Sequence, residues 1–190
     1  IWAWKEGRIK DIKRDVDAMY VILPFEKPFY EDKHQFPVHF VGHPLIDEIS
    51  NKQQVAGATF RKENGLDQRP IIAILPGSRK QEISKMLEVM LSIVEGFKDY
   101  QFVIAGAPSQ DESFYQAFIK NQNVHLLLNK TYDLLSLSYA ALVTSGTATL
   151  ETALFKVPQV VCYKGNQISY EIAKRIIKLK YISLVNLILD

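Results

Sequence analysis

From residue 71 onward, short apolar runs alternate with longer amphipathic stretches. The runs are rich in β-branched residues, which is typical of strands in a parallel sheet that is buried on both faces. The predicted strands are Ile71 to Leu75, Gln101 to Ala105, Val124 to Leu127, Ala141 to Thr144 and Gln159 to Tyr163.

The stretches between these runs have the length of helices. In the first, apolar residues recur at the three- and four-residue steps of one helix face. These residues are Ile83, Leu87, Met90, Leu91 and Val94. The predicted helices cover about 80–98, 109–120, 131–138, 147–155 and 167–179. Strand-helix units in this order predict a doubly wound, Rossmann-like α/β domain with helices on both faces of the sheet.

The residues before this domain form a different pattern. Met19 to Leu23 reads as a strand that Pro24 ends, and residues 26–33 read as a polar turn or short helix. Phe40-Val41 reads as a second strand, closed by Gly42-His43-Pro44. We interpret this as the last β-α-β piece of a preceding domain.

The predicted domain boundary lies near residue 44. Residues 1–44 are then the tail of an amino-terminal Rossmann-like domain, and residues 45–190 are a second such domain that starts with a helical connector over 45–66. The chain begins without Met and stops directly after the apolar run 181–189. We therefore expect an excised piece of a longer protein, with its second domain truncated.

Composition excludes several classes of function. The 190 residues are 47% hydrophobic, which is enough for a buried core, and a net charge of +2 gives no broad field for nucleic acid. The single cysteine, Cys162, excludes an internal disulfide and favours a reducing, cytoplasmic setting. No apolar stretch reaches the roughly 18 residues that span a bilayer.

The first candidate site is the turn Leu75-Pro76-Gly77-Ser78-Arg79, where a buried strand meets a helix. Pro76 ends the strand, Gly77 allows close approach of a ligand to the backbone, and Ser78 can cap the helix. Arg79, in the first helical turn, would favour a bound diphosphate. A capped helix with a solvated arginine explains the same residues.

The second candidate site lies at the strand-to-helix turn 144–151. Ser145, Gly146, Thr147, Ala148 and Thr149 combine small or hydroxyl side chains with exposed backbone N–H groups, as phosphate-binding loops do. One turn further on, on the side of Thr147, Glu151 could accept both hydroxyls of a ribose. An acid in a first helical turn is also favourable without a ligand.

Other sites are not supported. The chain has no GxxxxGK[ST], no GxGxxG and no GxSxG, so a P-loop, a dinucleotide fold and a hydrolase elbow are not indicated. Its four histidines lack metal-ligand spacing, and no metal site is predicted.

A basic stretch runs from Lys164 to Lys180. It contains five basic residues and one acid, Glu171, with isoleucines at helical steps. Such a helix can contact anionic lipid head groups, although most basic helix faces are simply solvated.

Seven segments together resemble the lipid-A-disaccharide synthase family, in order and over essentially the whole chain. The segments are Trp2-Ala3-Trp4-Lys5, Ile22 to Glu26, Val41 to Pro44, Leu75 to Arg79, Thr131-Tyr132-Asp133, Ser145 to Glu151 and Ser183 to Asn186. The resemblance implies the GT-B fold, in which two Rossmann-like domains face each other across the donor site. It also implies an inverting transfer of diacylglucosamine from UDP to diacylglucosamine 1-phosphate, giving a β-1,6-linked disaccharide.

The resemblance also implies which residues bind the donor. Arg79 matches the family's arginine at the diphosphate, Asn186 its asparagine near the donor, and Glu151 the acid that holds the ribose. The chain has Val185 where many relatives have proline. The expected UDP-sugar site comprises Gly77, Ser78, Arg79, Ser145, Gly146, Thr147, Ala148, Thr149, Glu151, Tyr163 and Asn186.

The family's general base lies upstream of Ile1, so the chain alone is expected to be inactive. No metal or other cofactor is expected. The expected partners are UDP-diacylglucosamine, diacylglucosamine 1-phosphate and the cytoplasmic face of the inner membrane, and an oligomer is possible. Two alternatives stay open: a related GT-B enzyme such as a UDP-sugar epimerase, and a UDP-binding module without catalysis.

Overall fold

The computed structural model describes residues 5–53, 55–119, 123–164 and 183–189. The chain divides into two compact units, one of which is Lys52–Lys164, and the other Ile1–Asn51 with Gly165–Asp190. The domain boundary near residue 44 stays a prediction. The helix predicted over 167–179 and most of the basic stretch lie outside the described residues.

The unit that contains the start of the chain is built around one parallel pair of strands. Strand β1 (Tyr20–Val21) pairs with β2 (His39–Phe40). Its first helical elements are a 3-10 helix (Glu6–Arg8), α1 (Ile9–Asp15), α2 (Glu26–Pro28), a π-helical turn (Phe29–Lys33) and α3 (Pro44–Ser50).

Strand β1 is shorter than the predicted 19–23. The Glu26 carboxylate accepts the N–H groups of Ile22 and Leu23, at 3.2 and 2.9 Å. Because a side chain satisfies these donors, the backbone turns away from the strand pair at this point.

The second unit is the predicted strand-helix domain. Its elements are α4 (Gly57–Glu63), β3 (Ile71–Leu75), α5 (Lys80–Leu91), a 3-10 turn (Val94–Gly96), β4 (Gln101–Gly106), α6 (Glu112–Ile119), β5 (Val124–Leu128), α7 (Thr131–Ser136), β6 (Ala140–Thr144), α8 (Thr147–Leu154) and β7 (Gln159–Cys162). The strands form one parallel sheet in the order β5-β4-β3-β6-β7. The predicted α/β fold is confirmed. A last helix, α9 (Leu184–Leu189), belongs to the other unit.

Apolar side chains cover both faces of the sheet. On one face, Ala73 and Leu75 of β3 pack with Leu134 and Leu135 of α7. On the other face, Ile74 packs in a cluster with α5 and α6. Successive residues of a strand point to opposite faces, so β3 needs apolar residues at every position and shows no alternation.

Helix α5 ends earlier than predicted. The predicted helix ran to residue 98, but α5 stops at Leu91, and the 3-10 turn follows. The Ser92 hydroxyl donates to the Val89 carbonyl at 2.7 Å and satisfies an acceptor that a longer helix would have used. In the described parts of the chain, no helix is long and apolar enough to cross a membrane.

The strand order places a topological switch point at β3. From β3 the chain proceeds through β4 to β5 on one side, and then returns to β6 and β7 on the other. Connections therefore leave the carboxyl ends of β3 and β6 in opposite directions, which opens a crevice between them. Ligands of open α/β sheets bind in this position.

A buried tyrosine fixes the backbone beside this crevice. The Tyr115 hydroxyl on α6 accepts the N–H of Ala107 at 2.7 Å, just beyond β4. Tyr115 is fully buried, and burial raises the pKa of its hydroxyl. The bond links α6 to the loop that follows β4.

We expect Tyr115→Phe to lower the free energy of unfolding by about 1–3 kcal/mol, because it leaves the buried N–H of Ala107 without an acceptor. Urea unfolding measures the change. The control is Tyr139→Phe, since Tyr139 is 62% exposed and its loss of a hydroxyl should matter little. Equal stabilities for the two variants would contradict this role of Tyr115.

Candidate functional site

A pocket of about 510 Å³ lies at the carboxyl ends of β3, β4 and β6. It is contained entirely within the unit Lys52–Lys164. Both loops singled out in the sequence meet here. The lining residues are Leu75, Gly77, Ser78, Arg79, Glu82, Ala105, Ala107, Pro108, Thr131, Tyr132, Thr144, Ser145, Gly146, Thr147, Ala148 and Glu151.

The loop after β3 contains a glycine that the backbone requires. Gly77 has φ +107°, a conformation that side chains with a Cβ atom rarely adopt. The Ser109 hydroxyl donates to the carbonyl of Ser78 at 2.9 Å and ties this loop to the loop after β4. A hydrogen bond from the loop after β4 thus holds the loop after β3 in place.

The helix after this loop does not start as predicted. Arg79 is the N-cap residue and α5 begins at Lys80, so Ser78 lies before the cap and makes no side-chain cap. Arg79 is likewise not in the first helical turn. The prediction was wrong: no side chain caps α5, and the Glu82 carboxylate accepts the N–H of Ser78, one residue before the N-cap, at 3.3 Å.

Arg79 is a cation available to a ligand. Its side chain is exposed and lines the pocket. No hydrogen bond or ion pair to another described residue engages its guanidinium. An anion in the pocket could therefore bind this group without breaking an existing contact.

The loop after β6 is held from within. Gly146 is the N-cap of α8, and the Thr149 hydroxyl donates to its carbonyl at 2.7 Å. The side chain of Thr149 is fully buried, so this residue supports the loop and does not line the pocket. Thr144 is also buried and lines the pocket, and its Oγ1 has no partner among the described residues.

Glu151 is held in place by a tyrosine. The Tyr132 hydroxyl donates to Glu151 Oε1 at 2.9 Å. The centroid of the Tyr132 ring lies 5.4 Å from that of Phe155. Lys52 Nζ lies 5.8 Å from the Tyr132 centroid, over the face of the ring. Lys52 also pairs with Asp133 at 2.9 Å. One carboxylate oxygen of Glu151 is thus oriented, and the other can accept hydrogen bonds from a ligand.

Besides Thr149, two predicted site residues are not among those that line the pocket. Tyr163 follows β7, is 54% exposed and does not line the pocket. Asn186 is an exposed residue of α9, in the other unit. Their roles at a donor stay predictions.

Sequence reasoning missed Glu82 and Tyr132. Glu82 lies three residues beyond the N-cap, the position from which an acid can reach back to the start of a helix, so a signal existed. Tyr132 belonged to a recognised motif but received no role, since its contact with Glu151 bridges two helices.

The chemistry of the pocket suits a charged, hydroxylated ligand. It offers a guanidinium that no described residue pairs with, backbone N–H groups of two loops and an oriented carboxylate. These groups fit a phosphate at one end and a diol at the other. Among the described residues, no three His, Cys, Asp or Glu side chains converge on a metal position.

Comparison with protein families gives one match over the whole chain. The family described as lipid-A-disaccharide synthetase matches residues 1–190. Curated relatives named lipid-A-disaccharide synthase include those of Idiomarina loihiensis and Syntrophus aciditrophicus, each 39% identical over 99% of this chain. The match covers 51% and 50% of those proteins, so the chain spans about half the length of the curated relatives it matches.

A solved structure shares the fold. It comes from Listeria monocytogenes and is named for UDP-N-acetylglucosamine 2-epimerase, with a TM-score of 0.58 and 19% identity. The match covers 91% of this chain and 49% of that one. This likeness supports the predicted GT-B fold class and nothing more specific.

We expect Gly77→Ala to lower the free energy of unfolding by about 1–2 kcal/mol, the usual cost of a left-handed conformation for a residue with a Cβ atom. The matched control is Gly146→Ala in the other loop. A Cβ atom there meets nothing within 4 Å, and its φ of 161° is extended. Thermal unfolding measures both, and an equal loss in both variants would contradict a special demand at Gly77.

Proposed function

Since the chain belongs to the lipid-A-disaccharide synthetase family, we propose that it is the donor-binding part of a glycosyltransferase of lipid A biosynthesis. The observation that carries the proposal is the convergence of Arg79 and Glu151 on one pocket at the switch point. The two residues approach it from loops after different strands. The pocket therefore presents a cation and an acceptor together, as a nucleoside diphosphate requires.

The proposed reaction transfers diacylglucosamine from UDP to diacylglucosamine 1-phosphate. A 6-hydroxyl of the acceptor loses its proton to the general base and attacks the anomeric carbon of the donor, the bond to UDP breaks, and the anomeric centre inverts to the β linkage. UDP leaves with the electron pair and gains negative charge on its diphosphate. A group that stabilises this charge lowers the barrier.

Arg79 and the backbone of its loop are placed to bind that diphosphate. The guanidinium lines the pocket and no described residue pairs with it. Arg79 can therefore form charge-assisted hydrogen bonds to phosphate oxygens, and these strengthen as charge develops on the leaving group. In this proposal the protein groups carry the charge without a metal.

Glu151 is placed to bind the ribose. Its Oε1 already accepts the Tyr132 hydroxyl, which fixes the direction of the carboxylate. The other oxygen can accept the ribose hydroxyls. The proposal makes Glu151 and Tyr132 a unit that selects a ribonucleotide.

Catalysis requires groups from outside the donor pocket. The general base is proposed to lie in the part of the longer protein upstream of Ile1, and Asn186 is proposed to support the donor sugar. Binding opposite a held acceptor can lower a barrier by roughly 7–11 kcal/mol. The 190-residue chain alone is therefore proposed to bind UDP without transferring sugar.

The enzyme is proposed to work on the cytoplasmic face of the inner membrane. The support is the charge of the stretch from Lys164 to Lys180, with five basic residues and one acid. Each basic residue near an anionic surface is worth about 1 kcal/mol. Such a stretch would hold the protein close to acylated substrates.

We expect Arg79→Ala and Glu151→Ala each to weaken UDP binding by about 1.5–3 kcal/mol, the scale of hydrogen bonds to charged groups. Titration calorimetry gives the affinities. Lys85→Ala is the control, because Lys85 is an exposed cation of α5 that does not line the pocket. Wild-type affinity for UDP in both pocket variants would contradict the assignment of Arg79 and Glu151 to the UDP site.

We expect the full-length protein to form the disaccharide from an acylated UDP-glucosamine donor, because in the longer protein the acceptor and the general base face this pocket. Product analysis with acylated and unacylated donors separates the candidates. A UDP-sugar epimerase, to which the shared fold of the Listeria structure draws attention, would instead yield an epimer of the unacylated donor. A binding module would yield neither product. The 190-residue chain should give no disaccharide in the same assay, and turnover by it would contradict the placement of the base.

A further inference from the structure

The Glu82 side chain covers the backbone of the loop after β3. Its Oε2 accepts the N–H of Ser78 at 3.3 Å. The carboxylate also lies against Gly77, since an added Cβ atom there would be 2.7 Å from Glu82 Cδ. Glu82 is partly buried and lines the pocket.

This arrangement puts an anion at the start of a long helix. Glu82 stands in the first turn of α5, which has 12 residues. A negative charge is favourable at this end of a helix. The N–H of Ser78 in this loop thus already has a carboxylate as its acceptor.

The donor diphosphate would need the same place. In the proposed function it binds beside Arg79, at the loop whose Ser78 N–H donates to Glu82. Two anions at one N–H donor compete for it, and their charges repel each other. One of them must move when the nucleotide binds.

We infer that Glu82 is a resident anion of the diphosphate site, which holds the loop in the ligand-free protein and is displaced by the diphosphate of the donor. This inference rests on the proposed function. Gly77 has no side chain to block the exchange, and Glu82 is long enough to turn toward solvent while α5 stays in place. Glu82 then acts on affinity through the loop and takes no part in the chemistry.

The displacement makes a specific prediction about ligands. A nucleotide with a diphosphate competes with the carboxylate, whereas uridine does not reach it. Removing the charge of Glu82 should therefore raise the affinity for UDP and leave the affinity for uridine unchanged. A residue that contacted the nucleotide directly would have the opposite effect when changed.

The test compares Glu82→Gln with Glu88→Gln in the full-length protein. Glu88 is an exposed residue of the same helix that does not line the pocket, so the control has the same change in net charge. Titration calorimetry measures the affinities of UDP and uridine. We expect Glu82→Gln to bind UDP roughly fivefold more tightly, with uridine unchanged, because a neutral amide competes less for the Ser78 N–H.

The ligand-free protein provides a second readout. Glu82→Gln should unfold at a lower temperature than Glu88→Gln, since the helix loses its anion. If Glu82 only stabilised the start of α5, Glu82→Gln would lower the unfolding temperature and leave the ratio of the UDP and uridine affinities unchanged. Glu82→Ala, which removes the acceptor altogether, should also bind UDP more tightly than wild type.

The outcomes separate this inference from the proposed function. UDP binding that is unchanged or weaker in both Glu82 variants would overturn the displacement, while the UDP site itself would stand. A wild-type protein that does not bind UDP would overturn the proposed function and the displacement together.

Discussion

The site depends on one constraint of the sheet, the adjacency of β3 and β6 at a change of direction in the chain. Strand β3 is the first of the sheet in sequence and lies at its centre. Its neighbour β6 comes three strands later. Because the connections after these strands go to opposite sides, neither loop can cover the other, and a crevice remains between them. A different strand order would separate Arg79 from Glu151.

Side-chain hydroxyl groups hydrogen-bond to the backbone of the loops that form this crevice. Tyr115 accepts the N–H of Ala107, Ser109 donates to the Ser78 carbonyl, and Thr149 donates to the Gly146 carbonyl. Each bond satisfies a backbone group in a turn that has no ladder partner. The backbone of these loops is thus held before a ligand arrives, which reduces the ordering that binding requires.

The sequence allowed the sheet and the two loops to be predicted, because buried parallel strands leave a strong signal. Strand β3 is apolar at every position, and β3 to β7 occur within one residue of the predicted bounds. The two loops were found because glycine and hydroxyl residues directly follow strands. These signals come from residues that are neighbours in the sequence, so a single sequence is enough to detect them.

The details of the site depend on side-chain contacts that cannot be predicted from the sequence alone. Ser78 was the expected cap, but Arg79 is the N-cap residue, and the Glu82 carboxylate accepts the N–H of Ser78 itself. Thr149 was expected to face a ligand, but the turn of α8 directs it inward. The bond from Tyr132 to Glu151 joins residues of two helices, and only the packing of α7 against α8 brings them together.

The most direct measurement is a crystal structure of the full-length protein with UDP. The account predicts diphosphate oxygens within hydrogen-bonding distance of the Arg79 guanidinium and ribose hydroxyls at the Glu151 carboxylate. UDP bound outside the crevice between β3 and β6, or bound there with its phosphates directed away from the loop of Gly77 to Arg79, would contradict it.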